Sequence, residues 1–203
     1  GRYMNDGNFG VTGEVQSLNS EDIELIENHK FDLINNIFWR NPDLNFTHTK
    51  SLINSLEEKP NKNWLKRINE CDDEKVLKFL INNHNEIEIK NDEKNLKLLW
   101  ECCQIPDFVK KSYGKHLEIV KKVFNFLSGS KKKIPNSYFK EQLKLLDKIE
   151  GNVDSISNRI ANVRTWSYVA NKSNWVENND YWIERTKYLE DKLSNRLHEE
   201  LTK

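Results

Sequence analysis

Eleven lysines lie between Lys110 and Lys148, against three acids, Glu118, Glu141 and Asp147. Such a run serves either as a solvated helix face or as a patch turned toward phosphates. Lys110 and Lys111 open it. Lys131, Lys132 and Lys133 follow Ser128-Gly129-Ser130, a helix-breaking stretch, so these three are expected on an exposed loop. Further on, Arg159 and Arg164 flank the apolar stripe of one helical pattern, where a guanidinium meets either a phosphate or a neighbouring carboxylate. Trp166, Trp175 and Trp182 could stack on bases, at about 1–3 kcal/mol per base. They could equally join the last two helices through buried rings, each covering roughly 150–250 Å². The core reading is preferred, because Trp182 begins an apolar stripe.

Other chemistry is missing from the pattern. There is no P-loop, no Gly-x-Ser-x-Gly, no His-Glu-x-x-His and no EF-hand loop. Cys71, Cys102 and Cys103 form no Cys-x-x-Cys pair, and His29, His48, His84, His116 and His198 are scattered, which argues against a metal site. Cys102 and Cys103 read instead as small, buried, reduced apolar residues. Most carboxylates fall on polar faces near a Lys or Arg, as surface helical charges do. On these grounds alone the chain is an interaction domain.

The elements that carry those residues are helices. Of the 203 residues, 36% are hydrophobic and 32% charged, which suits helices with narrow apolar stripes, while 21 aromatics, six of them Trp, are too many for a disordered chain. The net charge is zero, yet residues 1–100 hold 13 basic and 18 acidic side chains and residues 101–203 hold 19 and 14. The first 17 residues differ: four of the seven glycines fall there, Asn5-Asp6-Gly7 signals a turn, and Phe9, Val11 and Val15 suggest an extended segment. From Ser20 the period is helical. A first helix pair uses Ile23, Ile26, Leu33, Ile34, Ile37 and Phe38 and stops near Asn41-Pro42. Short helices are expected over 49–56, 63–68 and 73–81, and residues 84–90 are too polar to assign. Asn91 or Asp92 caps a stronger helix that ends at Ile105-Pro106. Three longer helices are expected over 112–127, 136–149 (stopped by Gly151) and 153–170, and a loop holding Trp175 leads to a last helix from Asn179. No repeat of fixed period occurs, so the expectation is an all-α, irregular antiparallel helical bundle with a short extended remnant at its N-terminus. Strand is expected only within residues 1–17.

Two stretches carry a family resemblance. Gly1-Arg2 resembles the closing Gly-Arg of the last helicase motif of superfamily 2 enzymes. The segment after it, Tyr3-Met4-Asn5-Asp6-Gly7-Asn8-Phe9-Gly10-Val11-Thr12-Gly13-Glu14, resembles the glycine-rich stretch on the C-terminal side of that motif. The motif, Gln-x-x-Gly-Arg-x-Gly-Arg, lies between two RecA-like domains in the family, with arginines that reach the nucleotide's γ-phosphate. The second stretch comprises Arg159-Ile160-Ala161-Asn162-Val163-Arg164-Thr165-Trp166-Ser167-Tyr168-Val169-Ala170-Asn171, Trp175, Tyr181-Trp182-Ile183-Glu184-Arg185-Thr186, Leu189-Glu190-Asp191-Lys192-Leu193-Ser194 and Leu197-His198-Glu199-Glu200-Leu201-Thr202. Together with Leu99-Trp100-Glu101-Cys102-Cys103-Gln104-Ile105-Pro106-Asp107-Phe108, it is similar to the C-terminal region of bacterial relatives of the mitochondrial degradosome RNA helicase.

The resemblance implies a C-terminal accessory region of an ATP-dependent helicase that helps to form the strand channel beside the motor. Residues 1–17 would end the second RecA-like domain, 18–108 would form a helical accessory region, and 109–203 a C-terminal helical bundle. Arg2 would be the γ-phosphate arginine, a fixed cationic fork that neutralises charge spreading over phosphoryl oxygens. ATP and magnesium would be bound in the full-length enzyme and not by this piece, whose P-loop and DExH box are expected before Gly1. The expected partner is single-stranded nucleic acid, RNA favoured, contacted through Lys110, Lys111, Lys131, Lys132, Lys133, Arg159 and Arg164. The preceding RecA-like domains and a nuclease are further expected partners. With no apolar run near 18 residues and no signal peptide, no membrane partner and a cytoplasmic location are expected. The rival class is a non-catalytic helical scaffold that recruits a protein such as a nuclease; a free-standing regulator would make the Gly1-Arg2 opening a coincidence.

Overall fold

The structure, a computed structural model, describes residues 20–28, 30, 37–83, 87–110 and 112–202. The extended segment expected over residues 1–17, and the apolar positions Leu33 and Ile34, lie outside them. Among the described residues the chain is mostly helical. It contains α1 (Ser20–Glu27), α2 (Thr49–Leu56), α3 (Asp72–Asn82), α4 (Glu93–Cys103), α5 (Tyr113–Ser128), α6 (Asn136–Leu146), α7 (Val153–Ala170) and α8 (Asn179–Leu201).

Capping explains several boundaries. Asp92 accepts a hydrogen bond from the Asn95 amide at 2.9 Å and so satisfies a free donor at the start of α4. Asn152 does the same for Ser155 at the start of α7, at 3.0 Å. α4 closes just before Ile105-Pro106, where proline has no N–H to continue the ladder. α6 ends at Leu146, three residues short of the expected Ile149, which is exposed. Asp147 leaves the helix at ψ 60°, and its carboxylate receives Arg185 at 2.9 Å and Lys192 at 2.6 Å, both from α8. Those ties hold its carboxyl below the usual aspartate range, the Lys192 hydrogen bond contributing most.

Strand appears where helix was expected. Ile37–Trp39 forms β1 and Leu65–Arg67 forms β2, a parallel pair with Ile37 opposite Leu65 and Trp39 opposite Arg67. A parallel pair needs a crossover, and residues 40–64, which contain α2, supply it. The expected helix through Ile37 and Phe38 fails because these side chains bury little: they are 54% and 62% exposed. The expected helix at 63–68 gives way to a ladder in which the Ile37 amide donates to Trp64 and the Ile68 amide to Trp39. What fixes the pair is charge. Arg40, just past β1, donates to both oxygens of Asp73 at 2.9 Å, and Arg67 of β2 reaches Glu74 at 3.0 Å. Glu74 is fully buried, unlike the surface carboxylates the sequence suggests, and burial raises its pKa although Arg40 and Arg67 oppose that shift.

One apolar cluster runs from Leu52 to Leu193 and crosses residue 108 without a break. Trp166 lies at 5.3 Å from Phe139 and 5.9 Å from Tyr138, ring centre to ring centre, and Phe139 lies 4.8 Å from Trp182. Trp166, Trp175 and Trp182 are all buried, so the core reading of the three holds. Each ring contributes about 4–6 kcal/mol of transfer free energy at 25 cal/mol per Å². Cys102 and Cys103 are buried and unbridged, as expected, and burial pushes both thiols up. Among the described residues no helix is long and apolar enough to cross a membrane.

Candidate nucleic-acid interface

The site is built where α6 and α8 begin. α5 ends at Ser128, and the chain turns through Lys132, whose φ of 52° is left-handed and whose amide donates to Gly129 at 3.3 Å. Ile134 then drops into the core and its amide donates to Trp175 at 2.8 Å, forming an isolated parallel bridge between Ile134 and Val176. That bridge pins the loop at its foot. Above it Lys131 and Lys132 stand exposed and Lys133 is half-buried, with no acidic partner for any of the three among the described residues. The expectation of an exposed lysine loop is met for Lys131 and Lys132.

The loop runs directly into a cleft of about 380 Å³ lined by Asn136, Ser137, Lys140, Asn178, Tyr181 and Trp182. Its floor is tied together by side chains: the Trp182 indole N–H donates to the Asn136 side-chain oxygen at 2.9 Å, and the Asn136 side-chain NH₂ donates to the Glu177 carboxylate at 3.3 Å. Tyr181 stands at the rim, 59% exposed, edge-on to Trp182 at 4.9 Å. Lys140 lies one turn beyond Asn136 and has no acidic partner among the described residues. A free cation beside an exposed, rigidly backed ring suits a single strand, since the ring offers a stacking face and the lysines a run of positive charge. Tyr181 and Asn178 escaped the sequence reading because their neighbour Trp182 carries the helical stripe, which hides an exposed aromatic one position before it.

The remaining candidate residues are not gathered at this cleft. Arg159 donates to the carbonyl oxygens of Lys148 at 2.8 Å and Glu150 at 2.6 Å, so its guanidinium ties the α6–α7 corner. Arg164 pairs with Glu190 of α8 at 2.7 Å while its side chain stays about half-exposed. Lys110 is exposed, with a left-handed φ of 51°, its amide donating to Asp107 at 3.0 Å. The 16 residues of α5, about 24 Å long at 1.5 Å per residue, separate it from the lysine loop. Arg2 and Lys111 lie outside the described residues. No group of three or more His, Cys, Asp or Glu side chains that could hold a metal ion occurs among the described residues. Compared with known proteins, the chain matches no family profile, no curated protein and no solved structure.

Proposed function

We propose that this chain is the C-terminal accessory region of an ATP-dependent helicase, acting on RNA in preference to DNA, and that the end of the molecule around the lysine loop touches the single strand. The family reading rests on the resemblance at residues 1–14 and 159–202. The observation that carries the strand contact is the pinned loop, which leaves Lys131 and Lys132 without an acidic partner among the described residues and leads into the cleft bounded by Lys140 and Tyr181. In this reading residues 1–17 finish the second RecA-like domain. ATP and magnesium belong to the motor domains of the full-length, cytoplasmic enzyme, and Arg2 meets the γ-phosphate there. Arg2→Ala in that enzyme should then lower ATP turnover about 10³-fold while nucleotide binding persists.

Strand contact is tested on the chain itself by fluorescence anisotropy with labelled oligouridylate across a salt series. Each phosphate contact on a single strand adds about 0.7 to the slope of log affinity against log salt. Replacing Lys131, Lys132 and Lys133 by Ala should make the slope shallower by up to about 2 and leave the melting temperature close to the parent's, because Lys131 and Lys132 are exposed and none of the three has an ion-pair partner among the described residues. Tyr181→Ala should weaken binding by about 1–3 kcal/mol at every salt concentration, since stacking releases no counterions. An unchanged slope in the lysine variant removes the strand contact from this loop, and salt-insensitive binding to a protein would favour the scaffold.

A further inference from the structure

Helices α5, α6 and α7 leave an open groove that the strand contact does not use. One lobe, about 330 Å³, lies over Ile119, Tyr138, Leu145 and Trp166; a second, about 310 Å³, lies over Asn158 and Thr165. The two lobes share Lys115, Ile119 and Asn162 as walls and so form one trough. Its apolar lobe holds Leu145, 61% exposed although it faces a concave surface.

The polar groups along the trough are carboxamides. Asn158 and Asn162 sit one turn apart on α7, both half-buried. The Asn162 NH₂ donates to the Asn158 backbone carbonyl at 2.8 Å, which leaves the Asn162 carbonyl oxygen open. The Asn158 side-chain amide, and that of Gln142 on α6, have no partner among the described residues. A carboxamide presents the same donor and acceptor as a peptide bond. Four residues along a helix advance about 6 Å. Main-chain groups on one edge of an extended chain repeat every two residues, about 6.6–6.8 Å. An extended peptide laid along α7 therefore meets the two asparagines nearly in step.

Charge selects among peptides. Lys115 and Lys122 lie two turns apart on α5, about 10 Å, and neither has an acidic partner among the described residues. Lys122 reaches over the Tyr138 ring at 5.7 Å and so stands at the rim of the apolar lobe. Two acids line the trough, Glu118, which pairs with Lys121 at 3.0 Å, and Asp107, which accepts from the amides of Val109 and Lys110; Glu141 acts on Tyr138 from α6. His116, on the wall of the second lobe, is disfavoured as a cation by its burial. Lys115 and Lys122 are therefore the lining charges that no counter-ion meets among the described residues, and they stand about three extended residues apart.

We propose that this groove binds an extended acidic segment of a partner protein. Asn158 and Asn162 read the segment's main chain, one apolar side chain sits over Ile119 and Leu145, and two flanking carboxylates meet Lys115 and Lys122. Strand binding is a separate matter, because none of these residues belongs to the lysine loop or its cleft.

The test pans a displayed library of random dodecapeptides against the full chain and measures the enriched peptides by anisotropy. The enriched sequences should share an acid–apolar–acid core. Asn158→Ala with Asn162→Ala should weaken that peptide about tenfold or more. Lys115→Glu with Lys122→Glu should abolish its binding, and the Lys131/Lys132/Lys133 alanine variant should bind it like the parent. Methylation of the peptide's central main-chain nitrogen should also cost about tenfold, a readout that involves no change to the protein. A consensus without acids, no consensus at all, full affinity in the asparagine variant or in the methylated peptide, or displacement of the peptide by oligouridylate would each overturn the proposal.

Discussion

In residues 37–103 two short strands are tied to α3 by Arg40, Arg67, Asp73 and Glu74, whereas in residues 113–202 four helices close on the rings of Phe139, Trp166 and Trp182. The first region puts a charged node inside, with Glu74 at 0% exposure and Arg40 and Trp100 in cation–π contact at 5.0 Å. The second buries the rings of Phe139, Trp166 and Trp182 at its centre and keeps most of its charges at the surface. A buried ion pair recovers little beyond its desolvation cost, so the node is expected to specify where β1 and β2 sit more than to add net stability. An aromatic core adds stability with each ring and leaves register to helix length. The two regions should therefore fail differently.

Trp166→Ala is the largest break. Its ring touches Tyr138 and Phe139, and little else could fill the space, so the loss should be about 3–5 kcal/mol in urea-induced unfolding followed by circular dichroism. A loss below about 1 kcal/mol would mean that the core can collapse around the void and that the aromatic account of this region is wrong.

Arg67→Ala should come next, at about 2–3 kcal/mol near neutral pH, because it strands Glu74 as a buried charge with one partner fewer. The sign of its pH dependence distinguishes the regions. Burial has already raised the folded-state pKa of Glu74 above its unfolded value, so the native state takes up a proton first and gains stability as pH falls through that range. Removing Arg67 raises that pKa further. The cost of the substitution should then shrink as pH falls from neutral toward 4.5, since a protonated Glu74 needs no counter-charge. Asp147 behaves oppositely. Its folded pKa is depressed, so its contribution is present above 3.8 and is lost as pH falls below that. Asp147→Asn should therefore cost a constant amount, about 1 kcal/mol for a half-buried carboxylate shared by two partly exposed cations, throughout the window in which the Arg67→Ala cost is changing. If the Arg67→Ala cost did not vary with pH, the buried charge at Glu74 would not be its source.

The same contrast decides what the sequence made legible. The helices 113–128, 153–170 and 179–201 could be read because a long apolar period over several turns leaves one solution, and their Trp residues fell on that period. β1 and β2 could not. Three residues carry no period, and the partner that fixes them, the Asp72-Asp73-Glu74 turn of α3, stands more than thirty residues from Arg40. Nothing local distinguishes Glu74 from the surface acids around it. At the candidate interface the lysine loop was legible from its Ser-Gly-Ser break. The cleft was not, because Lys140 and Tyr181 line it from α6 and α8, about forty residues apart in the chain.

At the corner between α6 and α7, backbone geometry and an arginine hold the turn. Gly151 adopts φ 126°, which side-chain-bearing residues rarely take, and an added Cβ would come within 3.1 Å of the Ser155 Cβ and 3.4 Å of the Arg159 guanidinium. Gly151→Ala should cost about 1–2 kcal/mol in thermal or urea unfolding. Gly114→Ala is the control: it lies in the first turn of α5 with nothing within 4 Å of the new methyl, and should stabilise the chain by about 0.5–1 kcal/mol. Arg159→Ala, which removes the donors to Lys148 and Glu150, should resemble Gly151→Ala in stability, and the two should be less than additive together because they loosen one corner. If Arg159→Ala instead left stability untouched and lowered the salt slope of oligouridylate binding by about 0.7, its guanidinium would be free to leave the carbonyls for a phosphate. The strand path would then extend from the lysine loop to the far end of α6.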